Sequence, residues 1–199
     1  MPTGSSRWNF ASEEEMWLKL VGQDHEDTGQ TADTVQKIFR DNNEQLSAVL
    51  EIGAGNGRLL RCATHYADLA LGVDYNDKMV KNSLRWRAAG YSRMMVIRSN
   101  GMILPFADES FPFVYSFTCF QHMEAMDTIR MNLMQAQRVL EIGGTFVMQA
   151  VIGDNAPGRY DGVVFESPSH LYTELFNAGF TSIDTEMDGA EWVWARARK

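Results

Sequence analysis

Glu51, Asp74 and His122 are the side chains whose type and setting best suit them to chemistry, and Gly53, Gly55 and Gly57 lie between the first two. Glycine at alternate positions directly behind an apolar run brings backbone N–H groups and a helix N-terminus close to a ligand. The dinucleotide-binding fingerprint puts its third glycine three residues after the second; here the interval is two. Glu51, just ahead of the turn, would repel a phosphate but can hold an ammonium group. The loop is therefore read as one that avoids pyrophosphate.

Asp74 ends the next apolar run, 17 residues beyond Gly57. In doubly wound sheets an acidic residue at that point accepts hydrogen bonds from ribose hydroxyls. A nucleoside that carries an amino group and no phosphate satisfies both carboxylates, and S-adenosylmethionine (SAM) has that description. The blander role for an acid in "VDYND", capping the following helix, suits Asp77 better than Asp74.

The elements that must position these residues follow from periodicity. "AVLEIG" (48–53), "LALGVD" (69–74), "MMVIRS" (94–99) and "FVYSFTCF" (113–120) are predicted as strands. Helices are predicted over 57–67, over 77–90 with Gly90 at the exit, and around 124–140; "EIGGTFVMQAVI" follows as a turn plus strand. This alternation implies α/β architecture, a Rossmann-like doubly wound, mostly parallel sheet. In the tail, Ser167 caps a helix with Pro168 in its first turn and Gly179 at its end. Two last strands, "FTSIDTEM" and "AEWVWARA", are joined through Asp188-Gly189 as an antiparallel hairpin, giving seven strands in all. Residues 1–45 are expected to form a polar, mostly helical cover for the sheet edge or pocket, with Trp8, Phe10 and Trp17 as anchors, and 46–199 the core of a single domain over 1–199.

The 199 residues, 45% hydrophobic, suit one compact core. No apolar run is long enough to cross a bilayer, and the first residues lack the plan of a signal peptide. Two cysteines, Cys62 and Cys119, are too few for a disulfide framework, which points to the cytoplasm. A net charge of −8 disfavours a nucleic-acid partner. Lys78, Lys81 and Arg85 recur at helical spacing and are read as the solvated face of a helix rather than a basic patch.

Four stretches in order carry a family resemblance: "VLEIGAGNGRLL", "GVDYNDKMV", "SNGMILPFADESFPFVYSFTCFQHM" and "RVLEIGGTFVM". Together they resemble the class I SAM-dependent methyltransferases of the small-molecule type, from about Leu46 to Phe180. The resemblance implies that Gly53, Ala54, Gly55 and Gly57 pass the methionine moiety, with Glu51 near its amino group. It implies Asp74 on the ribose, Tyr75 and Met79 along the adenine, and Asn100, Gly101 and Met102 at the adenine edge. Phe117 would face the sulfonium, and S-adenosylhomocysteine would be the product. The chain departs from the family pattern at Asn100, where Asp is frequent, at Pro112, and at Glu141-Ile142, where Lys-Pro is usual.

In-line transfer of a sulfonium methyl asks the protein for positioning and exclusion of water. A base is needed only when the acceptor must lose a proton. His122, at the expected carboxyl end of the fourth strand, is the candidate base; the other reading of it is a pocket wall. Cys119 is disfavoured as a nucleophile, being expected inside a buried strand. "DHED" (24–27) is read as a solvated loop, and no metal site is expected. His65 and His170 are expected on surface or helix positions, and Met123, Met126 and Met134 in the core. Trp8, Phe10, Trp17, Phe165 and the 153–167 segment either wall an apolar acceptor pocket or pack ordinarily. The expected partner is a small-molecule methyl acceptor, with no membrane, in a monomer or homodimer. Two alternatives are a catalytically silent SAM-binding module and, against the glycine spacing and hairpin, a nicotinamide-dependent dehydrogenase.

Overall fold

The computed structural model describes residues 29–153 and 162–199. The chain order is α1 (Gly29–Phe39), β1 (Leu46–Ile52), α2 (Arg58–Ala63), β2 (Ala67–Asp74), α3 (Asp77–Ala88), β3 (Met94–Arg98) and β4 (Phe111–Ser116). A 3-10 turn (Phe120–His122), α4 (Met126–Val139), β5 (Leu140–Val151), α5 (Pro168–Asn177), β6 (Thr181–Asp188) and β7 (Trp192–Arg198) complete it. One sheet of seven strands has the order β3-β2-β1-β4-β5-β7-β6. The first five strands in that order run parallel, while β7 is antiparallel to both β5 and β6. The doubly wound α/β expectation and its terminal hairpin are both realised.

Strand alternation divides the core into two layers. Val49, Phe113 and Val147 face α1, α2 and α3, packing with Phe39, Leu60 and Trp86. Leu50, Val114, Phe146 and Met148 face α4 and α5, packing with Ile129, Leu133, Leu171 and Leu175. The chain leaves β1 towards one edge and returns to the other side of it at β4. The carboxyl ends of β1 and β4 therefore form the topological switch point, where sites in such sheets open.

Several local expectations need correction. The helix foreseen over 57–67 stops at Ala63; Thr64 Oγ1 donates to the Arg61 carbonyl at 2.6 Å, and β2 already starts at Ala67. The strand foreseen over 113–120 ends at Ser116, so Cys119 stands outside it at the start of the 3-10 turn. "EIGG" is not a separate turn but an irregular start of β5, where the register against β4 shifts between Phe111 and Phe113. Pro112 occupies that shift, which spares the sheet a missing donor. The hairpin loop has three residues, 189–191, because Asp188 pairs with Trp192. Asn76, rather than Asp77, caps α3, its Oδ1 accepting from the amides of Lys78 and Met79.

Part of the foreseen N-terminal cover is α1, which lies over a sheet face. Phe39 stacks on Tyr66 at 4.5 Å and on Phe113 at 4.8 Å. Arg196 donates to the carbonyls of Lys37 and Ile38, tying the C-terminus of α1 to β7. Trp8, Phe10, Trp17 and 24–27 lie outside the described residues.

Lys78 and Lys81 are exposed, but Arg85 folds over Trp86, its guanidinium 4.2 Å from the ring centre, with Arg61 on the ring at 4.4 Å. Met134 is exposed rather than core, while Phe165 is fully buried among core residues. No helix of the described residues is long and apolar enough to cross a membrane.

Candidate functional site

A cavity of about 370 Å³ opens at the carboxyl ends of β1, β2 and β4. That volume falls within the ~300–1,000 Å³ typical of small-molecule sites. Glu51, Gly53, Ala54, Gly55, Asp74, Tyr75, Met79, Asn100, Gly101, Met102, Phe117 and His122 all line it. Gly57 does not.

The glycines do three different jobs, and all of them need positive φ: 76° at Gly53, 55° at Gly55 and 83° at Gly57. A Cβ on Gly53 would lie 2.2 Å from Cys119 Sγ, and one on Gly57 would lie 2.6 Å from Met94 Cε. A Cβ on Gly55 would meet nothing within 4 Å. Gly53 and Gly57 are therefore required by the protein's own packing, and only Gly55 turns its bare face to open space. Gly57, expected at the ligand surface, packs at the start of α2 against Met94 and Val96 of β3.

Asp74 has two roles. Its Oδ2 accepts the Gly55 amide at 2.9 Å and its Oδ1 accepts the Asn76 amide at 2.8 Å. The two oxygens together offer about four acceptor positions. Burial raises its pKa, while the amides of Asn76, Gly55 and Tyr75 pull it back.

Glu51 sits opposite Tyr115 in the β1–β4 register, and the Tyr115 hydroxyl donates to its Oε2 at 3.0 Å. Glu51 is 3% exposed. Burial pushes its pKa up to about 8, against the opposing influence of Tyr115 and of the Arg58 charge. A buried carboxylic acid facing a cavity gains most from a cation placed against it.

On the adenine side as foreseen, Asn100 Oδ1 accepts the amides of Met102 at 3.0 Å and Ile103 at 2.8 Å, so its carbonyl end is spent on shaping the loop. Gly101 has φ 75°, and its carbonyl accepts from Asn132 Nδ2 at 2.8 Å. Tyr75 and Met102 are largely exposed, and Met79 is buried.

Beyond β4, Phe117 stacks on Trp194 at 5.8 Å. Thr118 follows with φ 47°, an uncommon conformation for a residue with a β-branched side chain. Burial pushes the Cys119 thiol up to about 12, so it stays protonated and is a poor nucleophile. His122 shares this wall with Met123. His65 is exposed; His170 lies on α5, its Nδ1 accepting the Glu166 amide, away from the cavity. Among the described residues no group of three or more His, Cys, Asp or Glu is placed to hold a metal ion.

Sequence reasoning missed Asn56, Arg58 and Asn132. Asn56 offers its carbonyl to Trp86 Nε1 at 2.8 Å, which pins the glycine loop to α3. Asn132 is a polar residue at 3% exposure on the inner face of α4. A polar residue within that helix's apolar stripe was the available signal.

Residues 50–148 match the model of a family described as "Methyltransferase domain". Over 104 residues the chain is 32% identical to 27-O-demethylrifamycin SV methyltransferase of Amycolatopsis mediterranei, covering 50% of this chain and 37% of that one. The chain thus spans little more than a third of that curated relative's length. Among solved structures, a Pyrococcus horikoshii protein superposes with a TM-score of 0.72 at 16% identity, covering 87% of this chain and 92% of that one. Phosphoethanolamine N-methyltransferase 2 of Haemonchus contortus, solved with SAM, gives 0.69 at 15% identity, covering 86% of this chain and 52% of that one. The strand order, the switch-point cavity and the matched domain define a methyltransferase fold. The chain belongs to the class I SAM-dependent methyltransferase family.

Proposed function

We propose that this protein binds SAM in the switch-point cavity and transfers its methyl group to a small-molecule nucleophile. The observation that carries the reading is the pair of carboxylates, Glu51 and Asp74, on adjacent strand ends around Gly55, the glycine of this loop that faces open space. The residues present fit the cofactor. Glu51 would receive the amino group and the Asp74 carboxylate the ribose hydroxyls, while Met79 and Tyr75 offer an apolar adenine wall. When bound, SAM supplies a methyl carbon already activated by the sulfonium charge.

The chain's own residues then have positioning work. Phe117, Thr118 and Met123 close the sulfonium end with mostly apolar surface, which holds the acceptor in line and keeps water out. His122, on the same wall, receives the acceptor's proton when the acceptor is a hydroxyl or a protonated amine. The Amycolatopsis relative is named as a methyltransferase of 27-O-demethylrifamycin SV, which supports a small-molecule acceptor.

Calorimetry against SAM, S-adenosylhomocysteine and NAD tests the cofactor, and binding of NAD alone would overturn the reading. A methyl-release assay over hydroxylated and amine metabolites then tests turnover, with His122→Ala expected to slow it while leaving SAM affinity within a fewfold. Tight SAM binding with no transfer to any acceptor would favour a silent SAM-binding module.

A further inference from the structure

Residues 162–165 form a strap between two chain segments at the edge of the cavity. Along one side Phe165 makes a parallel bridge with Ile152, just past β5. Its amide donates to the Val151 carbonyl at 3.1 Å, and its carbonyl accepts the Gly153 amide at 2.8 Å. Along the other side the Gly162 amide donates to the Gln121 carbonyl at 3.0 Å, and the Val163 amide to the Met123 carbonyl at 2.8 Å. His122 and Met123, held by these two bonds, line the cavity beside Phe117 and Thr118. The turn that carries them is a single 3-10 turn, Phe120–His122, so the strap supplies support that the turn's own ladder does not.

Strap and wall come closest at Gly162, which is buried. A Cβ there would lie 2.2 Å from the Met123 carbonyl oxygen and 2.7 Å from both its carbonyl carbon and its nitrogen. The φ of Gly162 lies outside the left-handed region, so space and not backbone conformation demands glycine. The obstacle is main chain, which no change of rotamer moves aside. At the other end of the strap Phe165 is 1% exposed and meets the His170 ring of α5 edge-on at 5.8 Å. With the strap anchored there, a methyl added at 162 displaces the wall.

We propose that Gly162 is a positioning residue for methyl transfer: through its bare α-carbon the strap fixes where His122 and Met123 stand against the acceptor. This rests on the transfer reaction proposed above and deepens it, because the acceptor wall is then set by the segment between β5 and α5 rather than by the glycine loop. Misplacing a positioned group by about an ångström costs on the order of a hundredfold in rate. One added methyl at 162 is enough to demand such a shift.

The test compares Gly162→Ala with wild type in the full chain. Proton NMR follows the His122 ring, assigned by its loss in His122→Ala, and the Met123 ε-methyl, assigned by its loss in Met123→Leu. Both signals should move in Gly162→Ala, while the ring signals of exposed His65, outside the cavity, stay in place. Calorimetric affinity for S-adenosylhomocysteine should hold within about threefold. With the acceptor found in the methyl-release assay, kcat/KM should fall about tenfold or more while KM for SAM is kept. Adding Met123→Ala should restore nothing, since the obstacle is main chain. Unmoved His122 and Met123 signals in a folded Gly162→Ala protein overturn the proposal while the SAM reading stands. Equal losses in S-adenosylhomocysteine affinity and in acceptor turnover make Gly162 a structural residue and also overturn it. Amide exchange in the wild type needs no variant to fold: the Gly162 and Val163 amides should exchange together with those of His122 and Met123, as one protected unit. Exchange of the strap amides at an unprotected rate overturns the proposal. Failure of wild type to bind any adenosyl ligand overturns the SAM reading itself, and the part of Gly162 in transfer with it.

Discussion

Asp74 Oδ2 accepts the backbone amide of Gly55 at 2.9 Å, so the carboxylate at the end of β2 fastens the turn at the end of β1. The same side chain holds the Asn76 amide at the entry to α3. One half-buried acid thereby ties together the two walls of the cavity, at the place where a ribose is proposed to lie. The two functions have different sensitivities to substitution.

Asp74→Ala removes an acceptor from two amides and the proposed acceptor of the ribose. Each unsatisfied donor costs roughly 1–3 kcal/mol when buried. The variant should melt at a lower temperature and bind SAM at least about tenfold more weakly. Asp74→Asn keeps one carbonyl oxygen and should recover part of the stability. Isothermal calorimetry beside thermal melts checks both; an Asp74→Ala protein with unchanged affinity removes this residue from the site.

Glu51 makes stability depend on pH in an unusual direction. Its carboxyl ionises near 4.5 in the unfolded chain and is pushed up to about 8 in the fold. Between those values the folded state binds the extra proton, so stability falls as pH rises. The loss is at most about 1.4 kcal/mol per pH unit across that window and levels off above it. Glu51→Gln keeps an acceptor for the Tyr115 hydroxyl and has no proton to lose. Denaturant melts of the two proteins should agree near pH 5 and diverge towards pH 8 with the variant the more stable; parallel curves would contradict the burial argument.

The two predictions above concern residues legible in the sequence, since a carboxylate at a strand end needs only the strand to be found. The parallel sheet, the hairpin and the β2 acid were legible for the same reason: period-two and helical patterns are local. Arg58's tether to Thr31 was not, because it joins positions 27 apart through packing of α1. Cys119 was misplaced inside a strand because "FTCF" continues the apolar run of β4, whereas the chain breaks at Thr118 into a positive φ that composition does not announce. Gly57 was assigned to the ligand by motif alone, and only the approach of Met94, from a different strand, shows what it accommodates.

Asn132 should matter to the foreseen adenine edge without touching any ligand itself. Its Nδ2 donates to the Gly101 carbonyl at 2.8 Å and to the Thr128 carbonyl at 2.9 Å. Asn132→Ala frees the loop at Gly101, leaves a small void under it, and should cost about 1–2 kcal/mol of stability. Affinity for adenosine and for S-adenosylhomocysteine should fall by the same factor, since the loss lies at the end both ligands share. A loss confined to S-adenosylhomocysteine would place the loop elsewhere.

The three glycines separate packing from binding in a single series of alanine variants. All three have left-handed backbone, which costs a residue with a Cβ roughly 1–2 kcal/mol. At Gly55 nothing else is added, because the new methyl meets no atom within 4 Å. Gly55→Ala should therefore fold, with a modest loss of stability, yet bind S-adenosylhomocysteine far more weakly. At Gly53 the methyl would stand 2.2 Å from Cys119 Sγ and 2.6 Å from its Cβ, an overlap that forces the chain after β4 to move. Gly53→Ala should be the more destabilised of the two, by an additional ~1–3 kcal/mol. Cys119→Gly removes both atoms that collide. The double variant Gly53→Ala/Cys119→Gly should then be more stable than the sum of its single changes predicts, because the two sites share one space. Additive losses in that cycle would mean that Gly53 is required by its backbone angle alone and that Cys119 does not crowd it.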